Sequence, residues 1–548
     1  MRVIAAILGG MLLSAFAIPT AWAAKDDTVL VSRAAGTKGA GATAGSSAPS
    51  VSGDGKLVAF DSMATNLSSS DPDDFSDVFV RDIDADRLKL VSRASGASGA
   101  GANESSFAPV VSADGRYVVF VSYASNLSPA DDDGAETRSD VFVRDLKANT
   151  TTLVSRASGA GGAKGAADSY SAAISGDGRY VAFISIAQNL HPQDTDNTED
   201  IYLRDLKTNT TSLVTRPVLN VENNLGSSGA PAISEDGRYV AFTTSRDDLV
   251  PQSSSSEFAN DVLVRDMQTG KVELVSRATG AGGAPADEDA GHPSISADGR
   301  YVAFHSLASN LAATDDKRFT DVFVRDRSAN KTTLVTVIPG VPASEDAGGE
   351  AFADSISGDG RYVTFNTSAP GLYPDGGHFN QFDDPVVDVF MRDMHAGKTT
   401  LVSRASGAAG ALGNDFSSAS VVSRRGRVVA FLSIATNLHP DAVAAAASGD
   451  EEEPSGDIYA RDVLGPQAED ANTSDGHPPR CPVRGRVITG TELADVRNGT
   501  LKSDVMFGLA GNDVLRGAGG RDCVYGQLGR DRLLGQNAAD WLWGGPGA

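Results

Sequence analysis

Over most of its length the chain sets its apolar residues in short runs of about four to six, broken by Asp, Gly, Ser and Asn. In the first period the runs are Ala48 to Ser52, Lys56 to Ser62, Asp77 to Asp82 and Leu88 to Arg93. No stretch keeps a helical period long enough to compete, so each run is predicted to be a β-strand. Asp54-Gly55, between the first two runs, suits a tight hairpin turn, because glycine reaches positive φ without a Cβ clash.

Three phrases carry these runs and return in a fixed order. SxDGRxVAF begins at Ser52, Ser112, Ser175, Ser234, Ser296 and Ser357, and at Ser423 in an altered copy, SRRGRVVAF. DVFVRD or a close variant begins at Asp77, Asp140, Asp200, Asp261, Asp321, Asp388 and Asp457. LVSR or a variant begins at Leu30, Leu90, Leu153, Leu213, Leu274, Leu334 and Leu401. Successive Ser starts lie 60, 63, 59, 62, 61 and 66 residues apart, the period of a supersecondary unit. Four antiparallel strands per unit make a propeller blade. The cycle opens with LVSR at Leu30 before any SxDGR, and no LVSR follows Asp457. The strand around Val29 to Arg33 is therefore expected to complete the seventh blade and leave no unmatched edge. The residue four before the Ser of SxDGR is expected near a crowded axis and is small in most copies: Ala48, Ala108, Ser171, Ala230, Ala353 and Ala419, with His292 in the fifth.

These repeats resemble the TolB-type propeller repeats of bacterial exported proteins, in which a Ser-x-Asp-Gly turn joins the two inner strands. The resemblance covers most of the chain and implies an all-β, seven-bladed propeller over about residues 28–464. The period is longer than in TolB, there are seven repeats, and no N-terminal α/β domain fits ahead of them. The resemblance therefore carries the fold and not TolB's role.

Beyond a polar linker at about 465–480 the rhythm changes. Glycine falls at 490, 499, 508, 517, 526, 535 and 544, and Asp495, Asp504, Asp513, Asp522, Asp531 and Asp540 keep the same nine-residue frame. The clearest copies read GLAGNDVLR, GAGGRDCVY and GQLGRDRLL, from Gly508, Gly517 and Gly526. This segment resembles the hemolysin-type nonapeptide GGxGxDxUx of the repeats-in-toxin family, which implies a short parallel β-roll binding Ca2+. Calcium takes six to eight oxygens at about 2.3–2.6 Å, and glycine turns expose carbonyls beside the Asp carboxylates. Carried over, Gly508, Gly511, Gly517, Gly520, Gly526 and Gly529 shape the ion-binding turns. Asp504 then shares an ion with Asp522, Asp513 with Asp531, and Asp522 with Asp540. Asp495 with Asp513 is a weaker pair, since Leu493 and Lys502 stand where the fourth-position glycine belongs. Apolar residues at the eighth position, Leu515, Val524, Leu533 and Leu542, are expected to fill a thin core. With so little apolar surface to bury, the segment at 481–548 is expected to fold only when ions bridge it.

Residues 1–23 read as a secretory signal: Arg2, an uncharged apolar run from Val3 to Ile18, and Ala21-Trp22-Ala23 for cleavage. The expected destination is secreted, extracellular or at the cell surface, by way of the periplasm, with no transmembrane segment in the mature chain. The formal net charge of −24, one unit more negative once Arg2 is removed, argues against a nucleic-acid partner. Much of the acid lies just before the DVFVRD strands, at 71–77, 131–140 and 194–200, and at 450–453. Two readings stay open there: solvated loops, or carboxylates holding a hard cation. Cys481 and Cys523 lie outside the propeller, and an even pair in an exported protein favours a disulfide.

No GxSxG, HExxH or P-loop occurs, and the seven histidines are scattered. The Arg and Asp of DVFVRD recur in every blade and are expected to serve structure. Where one blade breaks the pattern, His292, His305 and Asp354 stand out, the last replacing the proline of Pro49, Pro109, Pro231 and Pro293. They are either ordinary variation at water-facing positions or a ligand site on one side of the axis. The reading that follows is an exported, calcium-binding, non-catalytic propeller for a glycan, peptide or surface protein. Its alternatives are a propeller hydrolase or lyase acting on an extracellular polymer, and a structural surface-layer or matrix protein.

Overall fold

Each apolar triplet of the repeat becomes the middle of a strand buried on both faces. In the first unit the strands are Ser46–Val51, Leu57–Ser62, Asp77–Asp82 and Arg87–Leu90, hydrogen-bonded in that order as one antiparallel sheet. Val58, Ala59 and Phe60 are all fully buried, because neighbouring sheets cover both sides of this one. The computed structural model describes residues 25–465 except 37–38, 72, 132–137, 220–225, 251–258, 313–318, 339–346, 374–376, 381–384 and 443–455. Further on it describes 487–489, 496–500, 505–507, 514–518, 523–525, 532–534 and 541–543. The expected signal at 1–23 and nearly all of the linker at 465–480 lie outside the described residues. The chain divides into two compact units, Met1–Gln467 and Ala468–Ala548.

The first unit holds seven such four-stranded sheets, the seven blades. The first strands of successive blades lie against one another, which places them innermost. Apolar clusters bridge each blade to the next: Ala59, Val78 and Val80 of blade 1 pack with Val118 and Phe120 of blade 2. On the other side Val58 and Phe60 pack with Val428, Ala430 and Ile458 of blade 7. Within blades, second and third strands present cross-strand aromatic pairs such as Phe60–Phe79 and Phe431–Tyr459, with ring centroids 5.8 and 5.7 Å apart.

The seventh sheet takes its outer strand from the other end of the unit. Thr28–Leu30 pairs antiparallel with Asp457–Asp462, Thr28 opposite Arg461 and Leu30 opposite Tyr459. The side chains repeat the arrangement of the continuous blades. Ser32 Oγ donates to Asp457 Oδ1 at 2.6 Å, just as Ser155 donates to Asp140 at 2.6 Å and Ser276 to Asp261 at 2.7 Å.

The recurrent Arg and Asp of DVFVRD have separate structural tasks. The buried arginine donates to backbone carbonyls of the preceding blade: Arg144 to Ala94, Arg204 to Ala157, and Arg461 to Ala405, at 2.9, 2.8 and 2.9 Å. The aspartate accepts from the arginine of its own blade's SxDGR turn, as in Arg116–Asp145 and Arg179–Asp205 at 2.6 and 2.7 Å. The glycine of that turn is required twice over. Gly178 has φ 73°, and a Cβ there would lie 2.0 Å from the ring of Tyr117 in the preceding blade.

Two details differ from the sequence reading. The fourth strand ends at Leu90 and not at Arg93, because Ser92 turns inward, its hydroxyl donating to Asp77 and accepting from the Val78 N–H. The small inner residues share left-handed backbone, not merely a crowded site. Ala48, Ala108, Ser171, Ala230, His292 and Ala419 have φ between 47° and 50°, each at a bulge where the inner pairing slips. Ala353 is the exception: it pairs with Phe365, and only Asp354 is left unpaired in the narrower bulge of blade 6.

In the second unit, three-residue strands recur every nine residues and alternate between two parallel sheets. One sheet orders Val487–Thr489, Val505–Phe507, Cys523–Tyr525 and Trp541–Trp543; the other Val496–Asn498, Val514–Arg516 and Arg532–Leu534. Neighbours within each sheet lie eighteen residues apart, Val505 opposite Cys523 and Leu515 opposite Leu533, so two nonapeptides make one coil of a short roll. Met506, Leu515 and Val524 are fully buried, with Leu533 packed against them.

Candidate functional site

Stacking at eighteen residues sets what the roll can hold. Gly499 N–H donates to Arg516 O at 2.7 Å and Gly517 N–H to Leu534 O at 2.8 Å, so the chain stays in register just past each strand. Parallel strands sit about 4.8 Å apart. An ion between stacked turns, with oxygens at about 2.4 Å on either side, spans that spacing. Asp504 and Asp522, like Asp513 and Asp531, stand eighteen residues apart, the separation at which the flanking strands pair. The carboxylates themselves, Asp495, Asp504, Asp513, Asp522, Asp531 and Asp540, lie outside the described residues, as do Gly508, Gly511, Gly520, Gly526 and Gly529. Gly517 is described and is buried. The expected Cys481–Cys523 disulfide also falls outside: Cys481 is not described, and of Cys523 only the backbone strand is.

In the propeller, a cavity of about 540 Å³ opens between the inner strands of blades 4, 5 and 6. His292 and His305 line it with Phe352, Leu307, Glu199 and Asp289. His292 sits on its bulge at φ 48°, a conformation in which histidine is enriched among non-glycine residues. The two imidazoles stack with centroids 5.0 Å apart, and the Phe352 ring meets His305 edge-on at 5.3 Å. Burial, then the neighbouring His292, push the His305 pKa down to about 4, so this ring is neutral at physiological pH. Its Nδ1 is buried without a hydrogen-bond partner among the described residues. Glu199 and Asp289 have their own bonds, Glu199 accepting from the Tyr170 hydroxyl and Asp289 from the Asn260 N–H.

Asp354 does not join the histidines. It accepts from Asn366 Nδ2 at 2.9 Å and Ser420 Oγ at 2.6 Å, tying blade 6 to blade 7, and burial lifts its pKa to about 6. Asp61, which sequence reasoning passed over, occupies in blade 1 the place that His305 holds in blade 5. It is 5% exposed and accepts from Ser47 Oγ and the Ala108 N–H. The signal lay in the residue directly after VAF, which reads Asp61, Val121, Ile184, Thr243, His305, Asn366 and Leu432 around the ring.

Around the same end of the blades the first residue past the second strand is apolar and uncovered in several units: Met63, Tyr123 and Leu307 are 54, 40 and 46% exposed. Phe352 and Phe416, at the start of inner strands, add 42 and 39%. Phe107 packs on Tyr123 with centroids 5.7 Å apart. The result is a discontinuous apolar rim beside the histidine cavity.

Residues 498–533 and 525–548 match the family of the RTX calcium-binding nonapeptide repeat (4 copies). No curated protein matches the sequence significantly. Among solved structures, TolB from Acinetobacter baumannii is 16% identical, with 65% of this chain and 69% of that one covered and a TM-score of 0.32. The β-propeller domain of the Trilobed protease from Pyrococcus furiosus is 12% identical over 71% and 91% of the two chains, TM-score 0.41. Oligogalacturonate lyase from Vibrio parahaemolyticus is 12% identical over 80% and 98%, TM-score 0.43. None of the three bears on what this chain binds. The chain is a seven-bladed β-propeller that carries, at its C-terminal end, calcium-binding nonapeptide repeats of the repeats-in-toxin type.

Proposed function

We propose that this is an exported, non-catalytic binding protein whose propeller takes a glycan, peptide or surface protein at its apolar rim, and whose roll assembles on calcium outside the cell. The exposed Leu307 and Phe352 at the histidine cavity carry the reading, since apolar side chains left uncovered together at the mouth of a cavity mark a contact surface. The sequence at 1–23 supports export, and the repeats at 498–548 supply a reason for it: a millimolar-calcium exterior is where such a segment folds. In this reading Asp495, Asp504, Asp513, Asp522, Asp531 and Asp540 hold the ions with the turn glycines.

A second reading has one observation behind it. Glu199 and Asp289 share the cavity with His292 and His305, a constellation from which a hydrolase or lyase is built. Against it, no carboxylate among the described residues bonds His305 Nδ1 to orient the ring as a base. A screen of the calcium-loaded mature chain on immobilised polysaccharides and peptidoglycan separates the two. Retention that is lost in Phe352→Ala together with Leu307→Ala, with no release of shortened chains, is expected. Chain shortening abolished by His305→Ala establishes the enzyme instead.

A further inference from the structure

The aspartate that opens each DVFVRD strand is buried, and its neighbours differ from blade to blade. One oxygen always meets the Ser or Thr two residues past the outer strand, as Asp77 meets Ser92 and Asp140 meets Ser155. In blade 2 the other oxygen faces an ammonium: Lys164 Nζ lies 2.7 Å from Asp140 Oδ2 and 2.7 Å from Asp131 Oδ1, with its side chain only 7% exposed. Of the acidic loops left open in the sequence, this one thus holds a lysine. In blade 3, Arg246 reaches Asp200 at 3.2 Å. In blade 6, His378 Nδ1 and the Tyr373 hydroxyl meet Asp388 Oδ2 at 2.7 and 2.8 Å.

In blade 1 no such cation meets the aspartate among the described residues. Asp71 stands where blade 2 has Asp131, each N–H bonded to the carbonyl three residues back, Ser68 and Ser128. The place of Lys164 is taken by Gly101; the two occupy the same bridge position opposite Arg93 and Arg156. In blade 1 the carboxylates of Asp71, Asp73 and Asp77 converge, with one oxygen of each within 4.8 Å of the others. Asp71 and Asp77 are each 2% exposed, and Asp71 Oδ1 is buried with no hydrogen-bond partner among the described residues. Three oxygens this close repel one another, yet two ligands on opposite sides of a calcium ion are themselves about 4.6–5.2 Å apart.

We propose that blade 1 carries a calcium site of its own, formed by Asp71, Asp73 and Asp77, in which the ion takes the place that the lysine ammonium takes in blade 2. The site is independent of the C-terminal repeats. Burial takes Asp71 and Asp77 out of water and sets like charges together, a cost that a bound cation removes. In blade 3 Asp194, Asp196 and Asp200 converge in the same way, but Arg246 supplies positive charge there; among the described residues the blade 1 cluster has no such partner.

The test counts ions on the full mature chain by equilibrium dialysis with radioactive calcium, in wild type, Gly101→Lys and Asp73→Asn. Gly101→Lys imports the blade 2 solution and is expected to bind one calcium fewer while melting, in chelator, at or above wild type. The half-buried Asp73→Asn, which removes one ligand without adding bulk, is expected to weaken the same ion at least tenfold and leave the others unchanged. Equal counts and affinities in all three proteins overturn the site. A Gly101→Lys protein that fails to fold leaves Asp73→Asn to decide.

Discussion

A protonated His305 has no favourable place for its charge: it stacks on a second imidazole and meets the edge of Phe352. Its folded pKa of about 4 lies below the usual value near 6.5, so between those values the unfolded chain binds a proton that the folded chain refuses. Stability through this residue is full above about pH 6.5 and falls as the pH drops towards 4. His378 has the opposite sign. Asp388 raises its pKa, so its contribution is full below about 6.5 and is lost as pH rises through the folded value. Melting temperatures of His305→Gln and His378→Gln, measured against wild type across that range, are therefore expected to diverge: acid spares the first variant and penalises the second. Parallel profiles contradict these assignments. The two histidines of blade 5 were legible as breaks in a repeat. Asp61 and Lys164 were not, because a single acidic or basic residue in one copy looks like surface until its burial is known.

At the scale of strands, the repeat phrases foretold most of the blade, and Asp77–Asp82 begins and ends where DVFVRD does. What the phrases hid was pairing geometry. An Ala-Pro step such as Ala48-Pro49 gives no sign of a left-handed residue, and the inner bulge emerges only when first and second strands are paired. The partners of the DVFVRD arginines were equally hidden, since Arg144 and Ala94 lie far apart in sequence. The N-terminal strand is the element with most at stake. Without it Asp457 loses Ser32, Arg461 loses the Thr28 hydroxyl, and the strand Asp457–Asp462 becomes a bare edge. Ser32→Ala is expected to cost about 1–3 kcal/mol, the price of a buried carboxylate oxygen left unpaired, and to match Ser92→Ala in blade 1. Deleting Thr28 to Arg33 should lower the melting temperature of the propeller far more; an unchanged melt in either variant contradicts the exchange of the strand.

At the scale of the whole chain, two rhythms build two units by different means. The blades bury continuous apolar runs such as Val58 to Phe60 and need no ion for their cores. In the roll the fully buried side chains among the described residues are Met506, Leu515 and Val524, a thin core by comparison. In the proposed reading calcium supplies the difference, held by part of the acid that gives the chain its −24 charge. The nine-residue frame made the calcium-binding repeats visible from sequence, whereas the exposed side chains at the propeller rim differ from blade to blade and no repeat encodes them. In a chain that starts after the proposed signal, tryptophan reports on the roll alone: of the three in the sequence, Trp22 lies within 1–23, and Trp541 and Trp543 both lie in one strand of the roll. The decisive measurement is the tryptophan emission of the mature full-length chain, titrated with calcium from chelator to millimolar concentration. A cooperative shift in emission that reverses on chelation is the predicted result; a spectrum that is the same with and without calcium would contradict calcium-driven folding of the repeats.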